Sequence, residues 1–336
     1  MRGDLGAIVN LLRERETFFI YLHQFPDGDA IGSSLGLAGG LRQLGKEVYL
    51  VSRHPLPEQY RFLPGSEGIS DRSPLQEGSV VVLLDCTGLD RAGLRREGLG
   101  AGTVVVNIDH HASNGYFGDL NLVDPHAAAV GELVYYLLDH LGVEIDGRIA
   151  TCLYAAILTD TGCFSFENTT SRSLEVAARL VEKGARPYDV AQEIYESRPA
   201  SSLRLLSRAL GSLELSPGGR VGWMTVTREM IEDTGATDGD SDGVANYARA
   251  VRGVELGILF RELPDGMVKV GLRSRGQVDV SQLAASFGGG GHPRAAGCVL
   301  PGPVEVARRE VLEAALKAVG EGARLDGAPG RRIGGA

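Results

Sequence analysis

Two runs of branched aliphatic residues constrain the fold more than any other feature: Ser79-Val80-Val81-Val82-Leu83-Leu84 and Thr103-Val104-Val105-Val106-Asn107-Ile108. Neither alternates with polar residues, so a strand built from either must be buried on both faces, the condition met inside a parallel sheet covered on both sides. Phe18–Leu22 and Lys46–Ser52 read as two further strands, with a helix at Ala30–Leu44 between them that ends at Gly45. Helices are also expected at Ala127–Leu141, Arg148–Leu158 and Ser171–Lys183. Strands alternating with helices define an open α/β architecture with helices on both faces of the sheet. The pattern changes after Pro187, where Tyr188–Leu210 is mostly helical and reads as a connector. A second, smaller α/β unit follows. Its strands are expected at Arg220–Thr227, Val254–Leu263 and Met267–Ser274, and its helices at Asp242–Arg252, Val280–Phe287 and Val304–Ala318. The Gly- and Arg-rich tail, 321–336, is expected to be mobile.

At 336 residues with 43 % hydrophobic side chains, the chain has the length of two domains and ample material for their cores. Its 34 basic and 43 acidic residues leave a net charge of −9, which disfavours a protein that coats long nucleic acid, because that affinity comes from a basic surface. A short nucleotide held in a local pocket is not excluded by this charge. Cys86, Cys152, Cys163 and Cys298 form no C-x-x-C pair, which points to thiols in a reducing compartment. No window carries about 18 uninterrupted apolar residues, so no membrane span is expected and the cytoplasm is the expected location.

The chemistry lies at the strand ends. His23 follows the first strand and shares its loop with Asp27 and Asp29; Asp85 follows VVVLL; Asp109, His110 and His111 follow VVVNI; Asp160 closes the helix in LTDTGCFSF. In open α/β sheets, ligands bind beyond the carboxyl ends of the strands. Any one of these acids could be a helix cap or a turn former. That explanation has to hold separately at every loop, however, and gives no reason for adjacent histidines. Two imidazoles and four carboxylates (His23, Asp27, Asp29, Asp85, His110, Asp160) suit a pair of divalent ions. Manganese is favoured over calcium, with magnesium, cobalt and iron as alternatives. Such a pair activates a water and neutralises a phosphoryl oxygen. Asp85, alone at a central strand end, is the choice for the bridging ligand.

HQFPDGDAIGS, the lone Asp85 in LLDCTGLDR, NIDHH and LTDTGCFSF resemble, in order, the four motifs of the DHH phosphoesterase superfamily. GLRSRGQVDVSQLAASFGGGGHPRAAGC resembles its associated C-terminal domain, and the match is closest to the nanoRNase/pAp-phosphatase branch. The resemblance covers nearly the whole chain except the tail. It implies a catalytic metal-binding domain over 1–187, a connector over 188–212, a substrate-binding domain over 213–320 and a tail over 321–336. It further implies that His23, Asp27 and Asp85 hold one metal, and that Asp29, Asp85, His110 and Asp160 hold the other. Asp109 would stand behind the metals and orient a ligand, while His111 would contact the scissile phosphate.

Gly288 to Gly291 followed by His292 is the second concentration of signal. Glycines at 289, 290 and 291 let backbone amides approach an anion closely. An isolated glycine run is more often a flexible turn, but here His292 and Arg294 follow at once, and Arg273, Ser274 and Arg275 leave the neighbouring strand. Arginine presents a planar fork to phosphate oxygens, although Ser274 at a strand end is more often merely solvated. If the two domains face each other, this segment closes the metal site and measures a short nucleotide. His54, His126, His140 and Trp223 read as structural residues, and nothing marks Cys86 or Cys163 as a nucleophile.

The expected activity is a metal-dependent phosphodiesterase that degrades very short oligoribonucleotides to mononucleotides, with 3′-phosphoadenosine 5′-phosphate (pAp) as a further substrate. Hydrolysis of cyclic dinucleotides or their linear products is the alternative. Long duplex nucleic acid and membranes are not expected partners; a second copy of the chain, forming a homodimer, is an admitted one. Inorganic pyrophosphate would leave a nucleotide-sized pocket without a use, and a non-catalytic regulator would be expected to lack part of the ligand set.

Overall fold

The computed structural model describes residues 2–75, 77–241, 243–321 and 331–332. The chain folds as two compact units, 1–197 and 198–336.

In the first unit the elements run β1 (Arg2–Gly3), α1 (Leu5–Glu14), β2 (Thr17–Tyr21), α2 (Gly28–Gln43), β3 (Glu47–Val51), β4 (Ile69–Ser70), β5 (Val80–Leu84), β6 (Val104–Asp109), β7 (Leu120–Val123), α3 (Val130–Leu141), α4 (Gly147–Asp160), α5 (Ser171–Glu182) and α6 (Pro187–Ala191). The sheet order is β1-β7-β6-β5-β2-β3-β4. All neighbours pair in parallel except β1 with β7. From β2 the chain builds outward through β3 and β4, then returns to the other side of β2 with β5, β6 and β7. The connection therefore reverses between β2 and β5, and the crevice beyond their carboxyl ends is where such a sheet admits a ligand.

All five residues of β5 are buried, as its uninterrupted aliphatic run requires. Val80, Val82 and Leu84 pack under α1 to α4, while Val81 and Leu83 face a layer of loops and short 3₁₀ turns that includes Ala92 and Leu94. Three strand segments escaped the sequence reading here, the two-residue β4 among them. The others are β7, four residues long, and β1, two residues long.

Helix α2 rests on α4 along a line of glycines. A Cβ built on Gly28, Gly32 or Gly36 would lie 2.4 Å from Thr159, the Cys152 carbonyl oxygen and Leu153, respectively. Only hydrogen at these positions allows the approach. The two helices run so that the start of α2, with Asp27 and Asp29, lies beside the end of α4, with Asp160.

The segment read as a connector does not stand apart. Val190 and Ile194 belong to the first core, whereas α7 (Ala200–Gly211) places Leu205 and Ala209 in the core of the second unit. The change of unit falls between 197 and 198.

The second unit continues with β8 (Glu214–Leu215), β9 (Val221–Val226), α8 (Arg228–Thr234), α9 (Ala245–Ala250), β10 (Leu256–Glu262), β11 (Met267–Ser274), α10 (Val280–Ala285), β12 (Gly290–His292), β13 (Ala295–Pro301), α11 (Val304–Ala318) and β14 (Arg331–Arg332). Its sheet order is β12-β13-β11-β10-β9-β8-β14, parallel between β9 and β10 and antiparallel elsewhere. Val268, Val270 and Leu272 of β11 face α10 and α11 in one core. The opposite face is covered by α7, α8 and α9 over β9 and β10. Of the tail, Glu321 accepts hydrogen bonds from Ser216 Oγ and the Arg220 amide, and β14 pairs with β8. Residues 322–330 and 333–336, on which the rest of the mobile-tail expectation falls, lie outside the described residues.

Candidate metal centre

His23 leaves β2, Asp85 leaves β5, and Asp109 to His111 end β6, so three adjacent parallel strands deliver these side chains to one edge. Asp27 and Asp29 arrive from the start of α2, and Asp160 from the end of α4. Three groups have ligand atoms lying mutually within 4.8 Å: His23, Asp27 and Asp85; Asp29, His110 and Asp160; and Asp85, His110 and His111. Every imidazole and carboxylate expected to be a ligand is in one of them. Asp109 is in none.

The hydrogen bonds fix which atoms face inward. His110 Nδ1 lies 3.1 Å from the Ala127 carbonyl oxygen, and His23 Nδ1 lies 2.9 Å from that of Gln24. A carbonyl can only accept, so each Nδ1 carries the proton and each Nε2 is turned inward. His110 Nε2 lies 3.4 Å from Asp85 Oδ1 and 3.6 Å from Asp160 Oδ2, and His23 Nε2 lies 3.8 Å from Asp85 Oδ2. Each Nε2 thus faces carboxylate oxygens, an arrangement that a proton on the ring or a cation between the groups satisfies. The donor set thus fits divalent metal.

Electrostatics gives the same answer. Burial, reinforced by the Asp85 and Asp160 charges, pushes the Asp29 carboxyl well above its ordinary value. Burial is also the largest cause at Asp160, which is pushed up to about 7, with Asp85 and Asp27 adding to the shift and His110 opposing it. At Asp85 burial is overridden: a hydrogen bond from His110 and the charges of His110, His111 and His23 hold it well below the usual range. His110 is held well above its ordinary value, because the Asp85 hydrogen bond and the Asp160 and Asp29 charges outweigh its burial. Carboxylates that raise one another's pKa in a buried space lack a positive charge, which metal ions supply.

Several residues hold the centre without belonging to it. Asp109, fully buried, accepts from the His110 and His111 amides and from His111 Nδ1 at 2.7 Å through Oδ1, and from Asn114 Nδ2 through Oδ2. Its oxygens are thereby engaged, the arrangement of a residue that orients a ligand-bearing turn. Asn114 was not singled out in the sequence. Its signal was Asn107, a polar residue inside an aliphatic strand, which bonds Asn114 Oδ1 at 2.9 Å. Asp29 accepts from the amides of Val130 and Gly131 at 2.6 and 3.0 Å. That stretch is fixed in turn by Arg172, bonded to Asp124 and to fully buried Glu132. Cys86 is no nucleophile, since burial pushes its thiol up to about 12.

The second group of expected residues assembles separately in the second unit. Gly290, Gly291 and His292 were expected in a loop but form β12, an edge strand. Gly291, at φ +143°, and Gly289 are required by contact: a Cβ at 289 would lie 2.2 Å from the Gly297 carbonyl oxygen, and one at 291 would lie 2.6 Å from that of Ala295. His292 pairs with Ala295, which on its other side pairs with Arg273. Arg294 is drawn in by its carbonyl, which accepts from the Ser274 amide at 3.0 Å. Arg275 donates its amide to the Glu255 carbonyl oxygen. Ser274, one of the expected substrate-binding residues, is 2 % exposed and its hydroxyl accepts from the Gly276 amide, so it is not a merely solvated strand end.

An open α/β sheet with carboxylates and imidazoles converging at its switch point defines a metal-dependent hydrolase. Residues 17–157 match the N-terminal domain of the DHH family and residues 223–323 match the DHHA1 domain. The chain is 42 % identical over 299 residues to a bifunctional oligoribonuclease and PAP phosphatase, NrnA, of Thermus thermophilus, covering 88 % of each sequence. Its counterpart in Bacillus subtilis is 28 % identical over 301 residues, covering 88 % of this chain and 92 % of that protein. The crystal structure of an exopolyphosphatase-related protein from Bacteroides fragilis superposes with a TM-score of 0.87 at 28 % identity, covering 93 % of this chain and 95 % of that one. The chain belongs to the DHH family of metal-dependent phosphoesterases, and it is a hydrolase of phosphoester bonds. No helix among the described residues is long and apolar enough to cross a membrane.

Proposed function

We propose that this chain is a two-metal exoribonuclease that degrades very short oligoribonucleotides to mononucleotides, and that it also removes a phosphate from pAp. The observation that carries this reading is the trio of overlapping ligand groups, with Asp85 and His110 each shared between two of them. The names of the relatives in Thermus thermophilus and Bacillus subtilis support the substrate class.

In this reading His23, Asp27 and Asp85 hold one ion, and Asp29, Asp85, His110 and Asp160 hold the other, manganese being preferred for a mixed imidazole and carboxylate set. When bound, such ions neutralise phosphoryl charge and make a water more acidic. The side chains do the rest. Asp109 holds His111 through Nδ1, which leaves Nε2 as the nitrogen that can meet a phosphate. The Asp109 bond and the Asp85 charge keep the His111 pKa above its ordinary value against its burial. His111 then donates a hydrogen bond to a phosphoryl oxygen or a proton to the departing oxygen. Arg273, Ser274, Arg275, Gly289, Gly290, Gly291, His292 and Arg294 are the substrate-binding residues of the second unit. The enzyme acts in the cytoplasm.

The test is a manganese-supplemented substrate panel with products resolved by length over time. Two- to four-residue RNA and pAp are expected to be turned over with far higher kcat/KM than a long single strand or a cyclic dinucleotide. A long strand consumed as fast as a dimer refutes the length preference, and inactivity on every short RNA refutes the function.

A further inference from the structure

Backbone strain is concentrated around the metal centre. Among the described residues, five other than glycine have left-handed φ: Phe25 (+55°), Asp85 (+54°), Tyr116 (+52°), Cys163 (+59°) and Phe164 (+59°). Asp85 is a site residue; Phe25 stands between His23 and Asp27; Tyr116 follows the DHH turn, and Cys163 and Phe164 follow Asp160. Bulky residues rarely adopt this region, and where they do the surrounding structure over-determines them, most often at functional sites.

Phe25 is the least expected of the five. It is 77 % exposed, more than any other large hydrophobic side chain described. Glycine or asparagine would meet the same φ at lower cost and without presenting a phenyl ring to water. Nor is the ring on a loose loop. The Gln24 amide donates to the Arg91 carbonyl oxygen at 2.7 Å, His23 Nδ1 donates to that of Gln24, and Asp27 caps α2 by accepting from the Ala30 amide at 3.1 Å. The ring is oriented by the imidazole of His54, with centroids 4.3 Å apart and planes tilted by 39°. Phe25 lies two residues from both His23 and Asp27, and two residues of chain span at most about 7 Å, so its backbone is held within one nucleotide's length of theirs.

We infer that Phe25 is a stacking platform for the nucleobase of the nucleotide whose phosphate lies at the metal centre, with His54 setting the ring's orientation. The inference rests on the nucleotide reading above and deepens it. A phenyl face accepts any base, because every base has a π-face. It therefore recognises that a base is present rather than which one, as an enzyme that finishes off mixed short fragments requires. An inorganic polyphosphate would gain nothing from it.

The experiment measures kcat and KM with manganese for the wild type, Phe25→Ala, Phe25→Leu and Phe25→Trp. The substrates are a diribonucleotide and its two singly abasic analogues, and melting curves confirm that each variant is folded. The expected result has two parts. Phe25→Ala and Phe25→Leu raise KM on the diribonucleotide roughly tenfold or more while Phe25→Trp stays near the wild type, and one abasic analogue is cleaved equally well by wild type and Phe25→Ala. Wild-type KM in the Ala and Leu variants, the same loss on all three substrates, or a Trp variant as weak as Ala overturns the platform. A wild type that cleaves no diribonucleotide overturns the nucleotide reading itself, and the platform with it.

Discussion

In the first unit three parallel strands and two helix ends press carboxylates together until they raise one another's pKa; in the second, an antiparallel edge carries His292 and Arg273 across from the same alanine, with Arg294 beside them. Every candidate metal group among the described residues lies in the first unit, and so does every non-glycine residue with left-handed φ. Holding cations required buried anions, which are unfavourable alone, and a backbone bent to aim them. The edge expected to hold an anion is built instead from regular strands, with hydrogen as a side chain at Gly289 and Gly291. In the function proposed above the two units divide the labour by charge, and the division can be tested variant by variant.

The largest effect is expected in the first unit. Asp85→Ala should abolish turnover with manganese while the fold survives, because Asp85 serves two ligand groups. Retention of more than roughly a tenth of kcat, a loss below about 1.4 kcal/mol, would break the bridging assignment. In the second unit, Arg273→Ala and His292→Ala should each lower kcat/KM by tens-fold, on the order of 2–3 kcal/mol for a charged contact, with manganese stoichiometry unchanged by titration. Manganese lost along with activity would put these residues on the cationic side of the division after all.

Gly32→Ala asks whether aim matters apart from ligand identity. The new methyl would meet the Cys152 carbonyl oxygen at 2.4 Å, so the helices must part, at about 1–3 kcal/mol for overpacking. Both Tm and kcat should fall although no ligand is altered; a lowered Tm with unchanged kcat would show that the spacing serves stability alone.

The smallest effect is one of pH. Asp160, held at about 7 against an ordinary 3.8, keeps its proton in the folded state where the unfolded chain has lost it. Folded protein then binds more protons across that window, so metal-free stability falls as pH rises through it. The raised His110 and His111 act in the same direction, their contribution being lost as pH climbs past their folded values. Metal replaces those protons. The rise in Tm on adding manganese should therefore be larger at pH 8 than at pH 6, and a larger rise at pH 6 would contradict the electrostatic account.

The sheet of the first unit was legible because VVVLL and VVVNI admit one environment, and the acids that follow them could be placed by topology alone. The convergence of Asp160 with Asp29 was legible only as a motif, because it depends on α2 lying against α4. The glycines at 28, 32 and 36 are one turn apart in the sequence, but they mean close packing only when a partner helix is present. Strands β12 and β13 were missed because GGGGHPRAAG has little β-propensity; pairing to β11 supplies what local preference does not. Arg172 acts through hydrogen bonds to residues distant in sequence, and no local pattern marks it, whereas Asn114 was signalled only indirectly, by the polar Asn107 inside an aliphatic strand.

The glycine contact between α2 and α4 has a consequence for how metal comes and goes. With hydrogen alone at positions 28, 32 and 36, α2 lies directly against Thr159, the Cys152 carbonyl oxygen and Leu153, and this close approach sets the spacing of the two acid-bearing helix ends. Spacing fixed by packing in this way favours a ligand set that is assembled before any ion arrives. Filling it requires no disorder-to-order step, and emptying it requires no local melting. Exchange with the surrounding metal pool is then limited by access and by proton competition rather than by unfolding, so which ion occupies the enzyme follows the supply around it.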